Sequence, residues 1–220
     1  MSTFAYEESG SGSPLILLHG NGGSGSDFVL QMDYFSKSRR VITVDTRGHG
    51  KSPRGTAPLS FPQFAEDLRA FMDEQKLDSA DILGFSDGAN TAILFAAENP
   101  ERVHRLVLCG ACITPKAVKR SVQIPIIIGY KIASLLPGGG ANAEILGLMV
   151  NDFGITEEHL QRIQAETLVL AGTKDMIAES HTKMIADTIP NAKLQFIEGD
   201  HFLPMKRAEE FNEAVEAFLL

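Results

Sequence analysis

Cysteine is scarce in this chain of 220 residues, which has only Cys109 and Cys112. No second cysteine pair is present to complete a zinc site with them. Their C-x-x-C spacing is that of a redox motif, but such a motif normally lies at the N-terminus of a helix. Here it lies at the end of an apolar, strand-like run, so two ordinary buried thiols are predicted. No two histidines have HExxH spacing, and no metal site is predicted.

Positive charge and long apolar runs are also scarce. The formal net charge is −8, whereas a nucleic-acid surface must be basic, so no nucleic-acid partner is expected. The longest apolar stretch, 124–136, is interrupted by proline, glycine and lysine and is too short to span a bilayer. Residues 1–12 are polar and lack the apolar core of a secretory signal. We expect a cytoplasmic protein with no membrane span, and the sequence leaves a monomer or a homodimer open.

Apolar runs alternate with amphipathic stretches along the rest of the chain. Six runs rich in leucine and β-branched residues are typical of parallel strands that are covered on both faces. These runs are 15–18, 41–44, 80–83, 103–109, 167–171 and 194–197. A seventh strand is expected near residues 3–8. Helical stripes such as Phe64, Leu68 and Phe71 lie between the runs. The alternation predicts an α/β fold with a mostly parallel, doubly wound sheet.

One stretch interrupts the alternation. From residue 111 to about residue 161 there is no clean strand, and three glycines follow Pro137. A stretch of about fifty residues is too long for a simple loop in a compact domain. We therefore expect a small helical cap, residues 112–160, inserted into a core made of residues 1–111 and 161–220.

The segment Gly84-Phe85-Ser86-Asp87-Gly88 is the most informative motif. It follows one of the apolar runs and opens a helical stretch, which is the setting of a nucleophile elbow. The turn is tight enough to strain the serine backbone, and the small flanking residues let neighbouring backbone approach. The Oγ atom of Ser86 would then stand above the sheet, at the positive end of the following helix. The motif predicts a serine nucleophile.

A serine hydroxyl is a poor nucleophile at neutral pH unless a base takes its proton and an anion orients that base. Asp175 and His201 each follow a predicted strand, and the carboxyl ends of parallel strands meet at one edge of the sheet. The chain order Ser, Asp, His is that of one fold in particular. We predict a catalytic triad of Ser86, His201 and Asp175. Asp200 adjoins His201, but neighbouring side chains on an extended segment point apart, which favours Asp175.

A glycine-rich turn, residues 20–23, follows the first strong strand. Such a turn exposes backbone N–H groups close to the elbow, where a carbonyl oxygen would become negatively charged during acyl transfer. The backbone N–H groups of Asn21 and of Asp87, the residue after the nucleophile, are the predicted oxyanion donors.

Together these motifs resemble those of the α/β-hydrolase superfamily, in the serine hydrolase branch that carries a cap after strand six. The resemblance extends over nearly the whole chain and keeps the family's order. Its segments are 19–22, 45–52, 84–88, 172–175 and 199–201. It implies an α/β-hydrolase fold, a serine nucleophile, no cofactor and hydrolysis of an ester-like small molecule. The short N-terminus departs from the family and suggests that its first strand is missing.

The expected activity is therefore that of a carboxylesterase-like enzyme. It would cleave a small to medium carboxylic ester, or a thioester, lactone or amino-acid ester, through an acyl-enzyme. Two alternatives remain open. The same triad could hydrolyse a carbon–carbon bond or act as an acyltransferase or perhydrolase. A ligand-binding protein could also be built on a hydrolase scaffold.

A dinucleotide site is a competing interpretation of the first glycine-rich segment. Residues 20–25 fit G-x-G-x-x-G after a strand, and Asp45 lies twenty residues past Gly25, where a ribose-binding acid would be expected. This interpretation leaves Ser86, Asp175 and His201 without a role, which favours the hydrolase.

The predicted cap has an unusual charge distribution, because residues 102–143 include six Lys or Arg and no Asp or Glu. A solvated helix face would explain this, and attraction of an anionic substrate is the alternative. Within this segment Ile124, Ile127, Tyr130 and Leu135 are predicted to line an acyl pocket under the cap. The same segment could instead form the cap's own core or a dimer contact.

Overall fold

The computed structural model describes residues 4–137 and 140–220, which form seven strands and nine α-helices. The strands are β1 (Tyr6–Ser9), β2 (Pro14–Leu18), β3 (Arg40–Val44), β4 (Ala80–Phe85), β5 (Val103–Cys109), β6 (Glu166–Gly172) and β7 (Ala192–Ile197). The helices are α1 (Val29–Phe35), α2 (Phe61–Glu74), α3 (Asp87–Glu98), α4 (Arg120–Leu135), α5 (Gly140–Leu148), α6 (Glu157–Arg162), α7 (Glu179–Thr188), α8 (Leu203–Lys206) and α9 (Ala208–Leu219).

The seven strands form one sheet in the order β1-β3-β2-β4-β5-β6-β7. All neighbouring pairs are parallel except β1 with β3, which is antiparallel at the edge. Each of the six predicted strands lies within one of β2 to β7, which confirms the mostly parallel α/β fold. From β2 the chain moves to β3 on one side and then to β4 on the other, so the sheet has a switch point at β2.

Helices cover both faces of the sheet and create two apolar clusters. Side chains alternate along each strand, so Leu15 and Leu17 of β2 enter one cluster while Ile16 and Leu18 enter the other. The first cluster contains the buried faces of α1 and α9, and the second contains those of α2, α3, α6 and α7. The strands are therefore apolar on both sides, as their sequences indicate.

Between β5 and β6 the chain leaves the sheet and forms α4, α5 and α6. The first two pack on each other, and a Cβ atom at Gly147 of α5 would lie 3.4 Å from the Tyr130 ring of α4. In contrast, α6 packs against α3 of the core, with Leu160 fully buried. Within the predicted cap, residues 112–160, α4 reaches the same core cluster through Val122 and α5 through Leu148.

The two cysteines are free and buried, as predicted. Burial raises the pKa of the Cys112 thiol to about 12, so no thiolate is available for redox chemistry at neutral pH. No helix within residues 4–137 and 140–220 has the length and apolar character needed to cross a membrane.

Candidate active site

Ser86 lies at a sharp turn between β4 and α3, with backbone angles φ 54° and ψ −117°. A Cβ atom at Gly84 would lie 2.5 Å from the Ala89 Cα atom, and one at Gly88 would lie 2.0 Å from the Leu18 carbonyl oxygen. Both positions therefore require glycine, because the turn brings α3 directly against β2 and β4. This is the geometry expected of a nucleophile elbow.

In the structure, hydrogen bonds connect Ser86 to His201 and His201 to Asp175. The Nε2 atom of His201 is 3.0 Å from the Ser86 Oγ atom, and its Nδ1 atom is 2.8 Å from Asp175 Oδ1. His201 and Asp175 are 3% and 4% exposed. A carboxylate on Nδ1 keeps the proton there, which leaves Nε2 free to accept the serine proton.

Hydrogen bonds to both its side chain and its backbone hold Asp175 in place. Its Oδ1 atom also accepts the N–H of Ile177 at 2.9 Å, and its backbone carbonyl accepts Lys119 Nζ at 2.5 Å. The neighbouring acid, Asp200, is turned away from the imidazole. It pairs with Lys206 at 2.5 Å and accepts the N–H of Phe202, and the Lys206 hydrogen bond lowers the pKa of its carboxyl.

The imidazole of His201 fits because Gly110, at the end of β5, has no side chain. A Cβ atom there would lie 2.6 Å from the His201 Cε1 atom, and the backbone of Gly110 has φ +63°. The ring also contacts Phe85, with 5.1 Å between the centroids. No sequence motif marks Gly110, since its role depends on a residue that follows two strands later.

The two predicted oxyanion donors lie beside the nucleophile. A Cβ atom at Gly20 would be 3.2 Å from the Ser86 Cβ atom, so the loop that carries Asn21 lies directly against the elbow. The N–H of Asp87 belongs to the first turn of α3, where backbone donors have no partner within the helix. No backbone hydrogen bond of either N–H occurs within residues 4–137 and 140–220, so both can bind a substrate oxygen.

His19 supports this loop through hydrogen bonds on both ring nitrogens. Its Nδ1 atom lies 2.7 Å from the Gly20 carbonyl oxygen, and its Nε2 atom accepts the N–H of Thr46 at 3.0 Å. Because the N–H of Thr46 can only donate, Nε2 is the acceptor nitrogen of the ring, and the ring proton is therefore on Nδ1. Burial lowers the pKa of His19 to about 4, so the ring is neutral at physiological pH.

The carboxylate of Asp45 is used by the protein itself. Its two oxygens accept the backbone N–H groups of Gly25 and Lys51, each at 2.7 Å, and the residue is buried. It joins the glycine-rich loop to the loop after β3. The dinucleotide interpretation required this carboxylate to face a ribose, and the structure gives it a different set of partners.

The side chain of Asn21 connects three parts of the site. Its Nδ2 atom donates to Asp87 Oδ2 and to the carbonyl of Ile145 in α5, both at 2.8 Å. Desolvation by burial raises the pKa of Asp87 to about 6, although the hydrogen bond from Asn21 opposes the shift. The sequence predicted a role for the backbone N–H groups of Asn21 and Asp87 but not this side-chain link. Asn21 lies 66 positions from Asp87 and 124 positions from Ile145.

A cavity of about 480 Å³ opens over Ser86. Its walls are largely flexible or aromatic apolar side chains, which suit a variable apolar group. The lining residues are Gly20, Asn21, Asp27, Phe85, Ser86, Met149, Met176, His201, Phe202 and Met205. No Lys or Arg is among them, and Lys119 is bonded to the Asp175 loop. This wall therefore offers no lysine or arginine side chain to an anionic substrate.

The four residues predicted to line an acyl pocket do not line this cavity. Ile124 and Leu135 are exposed on α4, and Ile127 is half-buried. Tyr130 faces a separate groove between α4, α5 and residues 58–61. The prediction failed because a helix presents only part of an apolar run to any one neighbour. The cavity wall comes instead from the glycine-rich loop, the elbow, Met149 and the residues after β6 and β7.

Comparison with known proteins assigns the family. A family model described as alpha/beta hydrolase fold matches residues 13–130, which is more than half of the chain. The chain belongs to the α/β-hydrolase fold family. The match contains the glycine-rich loop, the elbow of Ser86 and the first part of the inserted segment.

Curated relatives extend the similarity to the remainder of this α/β hydrolase. It is 27% identical to the serine hydrolase BPHL of Homo sapiens over 97% of this chain and 82% of that protein. It is also 27% identical to a 2-hydroxymuconate semialdehyde hydrolase of Pseudomonas putida over 96% of this chain and 89% of that protein.

Solved structures agree on the architecture. The enol-lactonase from Burkholderia xenovorans LB400 superimposes with a TM-score of 0.83 at 22% identity, over 98% of this chain and 96% of that chain. Est816, described as an N-acyl homoserine lactone degrading enzyme, gives a TM-score of 0.79 at 25% identity, over 98% and 96%. The names of these relatives and structures describe different substrates, so the shared fold does not select a substrate.

Proposed function

We propose that this α/β hydrolase is a serine hydrolase that cleaves a small to medium carboxylic ester through an acyl-enzyme. The observation that carries the proposal is the line of hydrogen bonds from Ser86 through His201 to Asp175, at 3.0 and 2.8 Å. Thioesters, lactones and amino-acid esters present the same carbonyl to this arrangement and belong to the same proposal.

In the first half of the reaction, His201 Nε2 takes the proton of Ser86 as Oγ attacks the carbonyl carbon. The carbonyl oxygen becomes negative and accepts hydrogen bonds from the N–H groups of Asn21 and Asp87. Asp175 holds the imidazole by Nδ1–H and stabilises its positive charge. The bond to the leaving oxygen then breaks, and His201 gives its proton to the departing alcohol.

In the second half, water replaces the alcohol. His201 takes a proton from this water, whose oxygen attacks the acyl carbon and regenerates the same oxyanion. The bond to Ser86 Oγ breaks, the serine recovers the proton, and a carboxylic acid leaves. No cofactor is needed, because the imidazole moves every proton.

The cavity supports an apolar acyl group of moderate length. Three methionines, Met149, Met176 and Met205, contribute to its wall, and thioether side chains adapt to differently shaped groups. We expect turnover of p-nitrophenyl esters to rise from acetate to a chain of medium length and to fall again towards palmitate.

The nucleophile is tested with the same esters and Ser86→Ala, which should lower kcat by about 10⁴- to 10⁶-fold. Ser26→Ala is the matched control, because Ser26 is an exposed serine whose hydroxyl is hydrogen-bonded to that of Ser24. Turnover that survives in Ser86→Ala would refute the serine mechanism.

The acid is tested by a matched pair of carboxamides. Asp175→Asn should lower kcat by about 10⁴-fold, because the amide favours the wrong imidazole tautomer. Asp200→Asn changes the adjacent acid, which pairs with Lys206, and should leave kcat within about 3-fold. Equal losses in the two variants would contradict the role given to Asp175.

Carbon–carbon bond hydrolysis is the second candidate, supported by the relative named 2-hydroxymuconate semialdehyde hydrolase. Its test offers 2-hydroxymuconate semialdehyde to the wild type and to Ser86→Ala. Consumption by the wild type without ester turnover would assign this reaction. Release of a single equivalent of p-nitrophenol without turnover would instead indicate a ligand-capturing protein on the hydrolase scaffold.

A further inference from the structure

One face of α4 is an apolar stripe that lies in solvent. Ile124, Ile128, Ile132 and Leu135 are 54%, 52%, 54% and 84% exposed. Their spacing of four, four and three residues places them on one side of the helix. None of the side chains of α4 is fully buried. We refer to these four residues as the α4 stripe.

The stripe concentrates apolar surface that is otherwise scattered. Half of the large apolar side chains exposed within residues 4–137 and 140–220 lie between Ile124 and Leu136. The others are Tyr6, Val29, Leu30, Phe202 and Leu220. Single exposed apolar residues are ordinary on a protein surface, whereas a continuous row marks an interaction site.

The opposite face of α4 already has its partner. Gly129 approaches the Leu146 side chain of α5, and Tyr130 lies against Gly147. Near the start of the helix, Gln123 donates to the carbonyl of Met149, which lines the cavity over Ser86. The helix is therefore oriented by α5, and the stripe faces away from that contact.

Two basic residues share the exposed face with the stripe. Arg120 precedes Ile124 by four residues and Lys131 precedes Leu135 by four, so each lies one helical turn from a stripe residue. Both are exposed, and within residues 4–137 and 140–220 neither side chain has a hydrogen bond or ion pair. No Asp or Glu occurs between Arg102 and Ala143, so the face carries only positive charge.

We propose that this face of α4 docks the protein on an anionic lipid surface. An amphipathic helix with an apolar stripe and basic residues beside it lies in the plane of a membrane, with its apolar side chains among the acyl chains. The lipid phosphates then face Arg120 and Lys131. The net charge of −8 does not prevent this, because charges more than about 10 Å from the surface are screened at 0.1 M salt.

A second copy of the chain is the other possible occupant, and charge disfavours it. In a two-fold dimer the same patch meets itself. Arg120 and Lys131 of one copy would then face the same residues of the other, and α4 has no acid to separate them. A surface of lipid phosphates provides the opposite charge.

The test is flotation of the full chain with vesicles of phosphatidylcholine, with and without phosphatidylglycerol. The wild type should float with the vesicles that contain phosphatidylglycerol. Ile128→Gln/Ile132→Gln should remove this binding, and Arg120→Gln/Lys131→Gln should weaken it by about 5-fold for each charge removed. The matched control is Val29→Gln/Leu30→Gln, which changes residues 58% and 46% exposed on α1 and should float like the wild type.

Far-UV circular dichroism verifies that each variant is folded. Flotation measures binding and not turnover, so its result does not depend on the proposed reaction. Failure of the wild type to float with anionic vesicles would overturn the proposal. Equal flotation with both kinds of vesicle would overturn an anionic surface as the partner. A wild-type dimer in sedimentation that Ile128→Gln/Ile132→Gln dissociates, without any flotation, would assign the stripe to a second copy.

Discussion

At the scale of single residues, Ser86 is held in a backbone conformation that side chains rarely adopt. Its φ of 54° lies in the left-handed region, and only Lys76 shares this feature among the non-glycine residues that the structure describes. Such a conformation costs on the order of 1–3 kcal/mol and persists only where the surroundings enforce it. Here β4, α3 and the glycines beside Ser86 enforce it, and the hydroxyl is presented to His201.

This strain can be measured by comparing Ser86→Gly with Ser86→Ala. Both variants lose the hydroxyl, but only alanine retains the Cβ atom that conflicts with a positive φ. The free energy of unfolding should be about 1 kcal/mol higher for Ser86→Gly. Urea denaturation of the two inactive variants provides the comparison, and equal midpoints would show that the elbow is not strained.

That Ser86, His201 and Asp175 lie together could be predicted because each is in a short local motif. Ser86 is between two glycines, and Asp175 and His201 each follow an apolar strand. The supporting residues could not be predicted in this way. Gly110 is constrained by the His201 ring, and the Asn21 side chain binds Ile145, so each depends on packing between distant segments.

At the scale of elements, strands were easier to predict than the inserted helices. A buried strand is apolar on both sides, so its sequence alone identifies it. The run from Ile124 to Tyr130 is equally apolar, yet in a helix these residues point in all directions, and only one side contacts α5. The apolar composition of this run therefore does not predict which face of α4 is covered by the rest of the protein.

The second inserted helix is attached to the core by an ion pair. Arg54, in the loop before α2, donates to both carboxylate oxygens of Glu144 on α5, at 2.7 and 2.5 Å. The pair is partly exposed, and a bidentate geometry is the kind of surface ion pair that has a measurable effect. Together with the Asn21–Ile145 hydrogen bond, it fixes α5, and Met149, the residue directly after α5, lines the cavity.

Glu144→Gln should therefore raise KM for the preferred p-nitrophenyl ester by about 2- to 5-fold and change kcat little. The reason is that a released α5 places the cavity wall less firmly, while Ser86 and His201 stay on the core. Glu66→Gln is the control, because it breaks the pair with Arg69 within α2, away from the site. Identical kinetic constants for the two variants would contradict the attachment.

At the scale of the whole molecule, two buried groups make stability depend on pH in opposite directions. The folded pKa of Asp87, about 6, lies above its ordinary value of 3.8, so its burial destabilises the fold as pH rises from about 4 to 6. The folded pKa of His19, about 4, lies below 6.5, so stability is lost as pH falls over nearly the same range. The two effects largely cancel.

Removing one of the two groups should reveal the other. Asp87→Asn keeps an oxygen for Asn21 but carries no charge, so it should stabilise the protein by about 3 kcal/mol at pH 7 and by less than about 1 kcal/mol at pH 4. Urea denaturation of wild type and variant at both pH values measures the difference. A gain of equal size at pH 4 and pH 7 would show that Asp87 is not the titrating group.

The connection from β5 to β6 has a consequence for exchange of segments between proteins. The chain leaves the sheet after β5 and returns at β6, and these strands are direct neighbours, with Arg105 opposite Glu166. Because the two strands are parallel, the chain leaves at the carboxyl end of β5 and returns at the opposite edge of the sheet, and α6 makes this crossover against α3. A segment of another length, taken from a different hydrolase, could replace α4 and α5 while α6 stays in place and Ser86, Asp175 and His201 keep their positions. Such a chimera would measure whether substrate selectivity follows the exchanged helices while the proposed triad stays with the core.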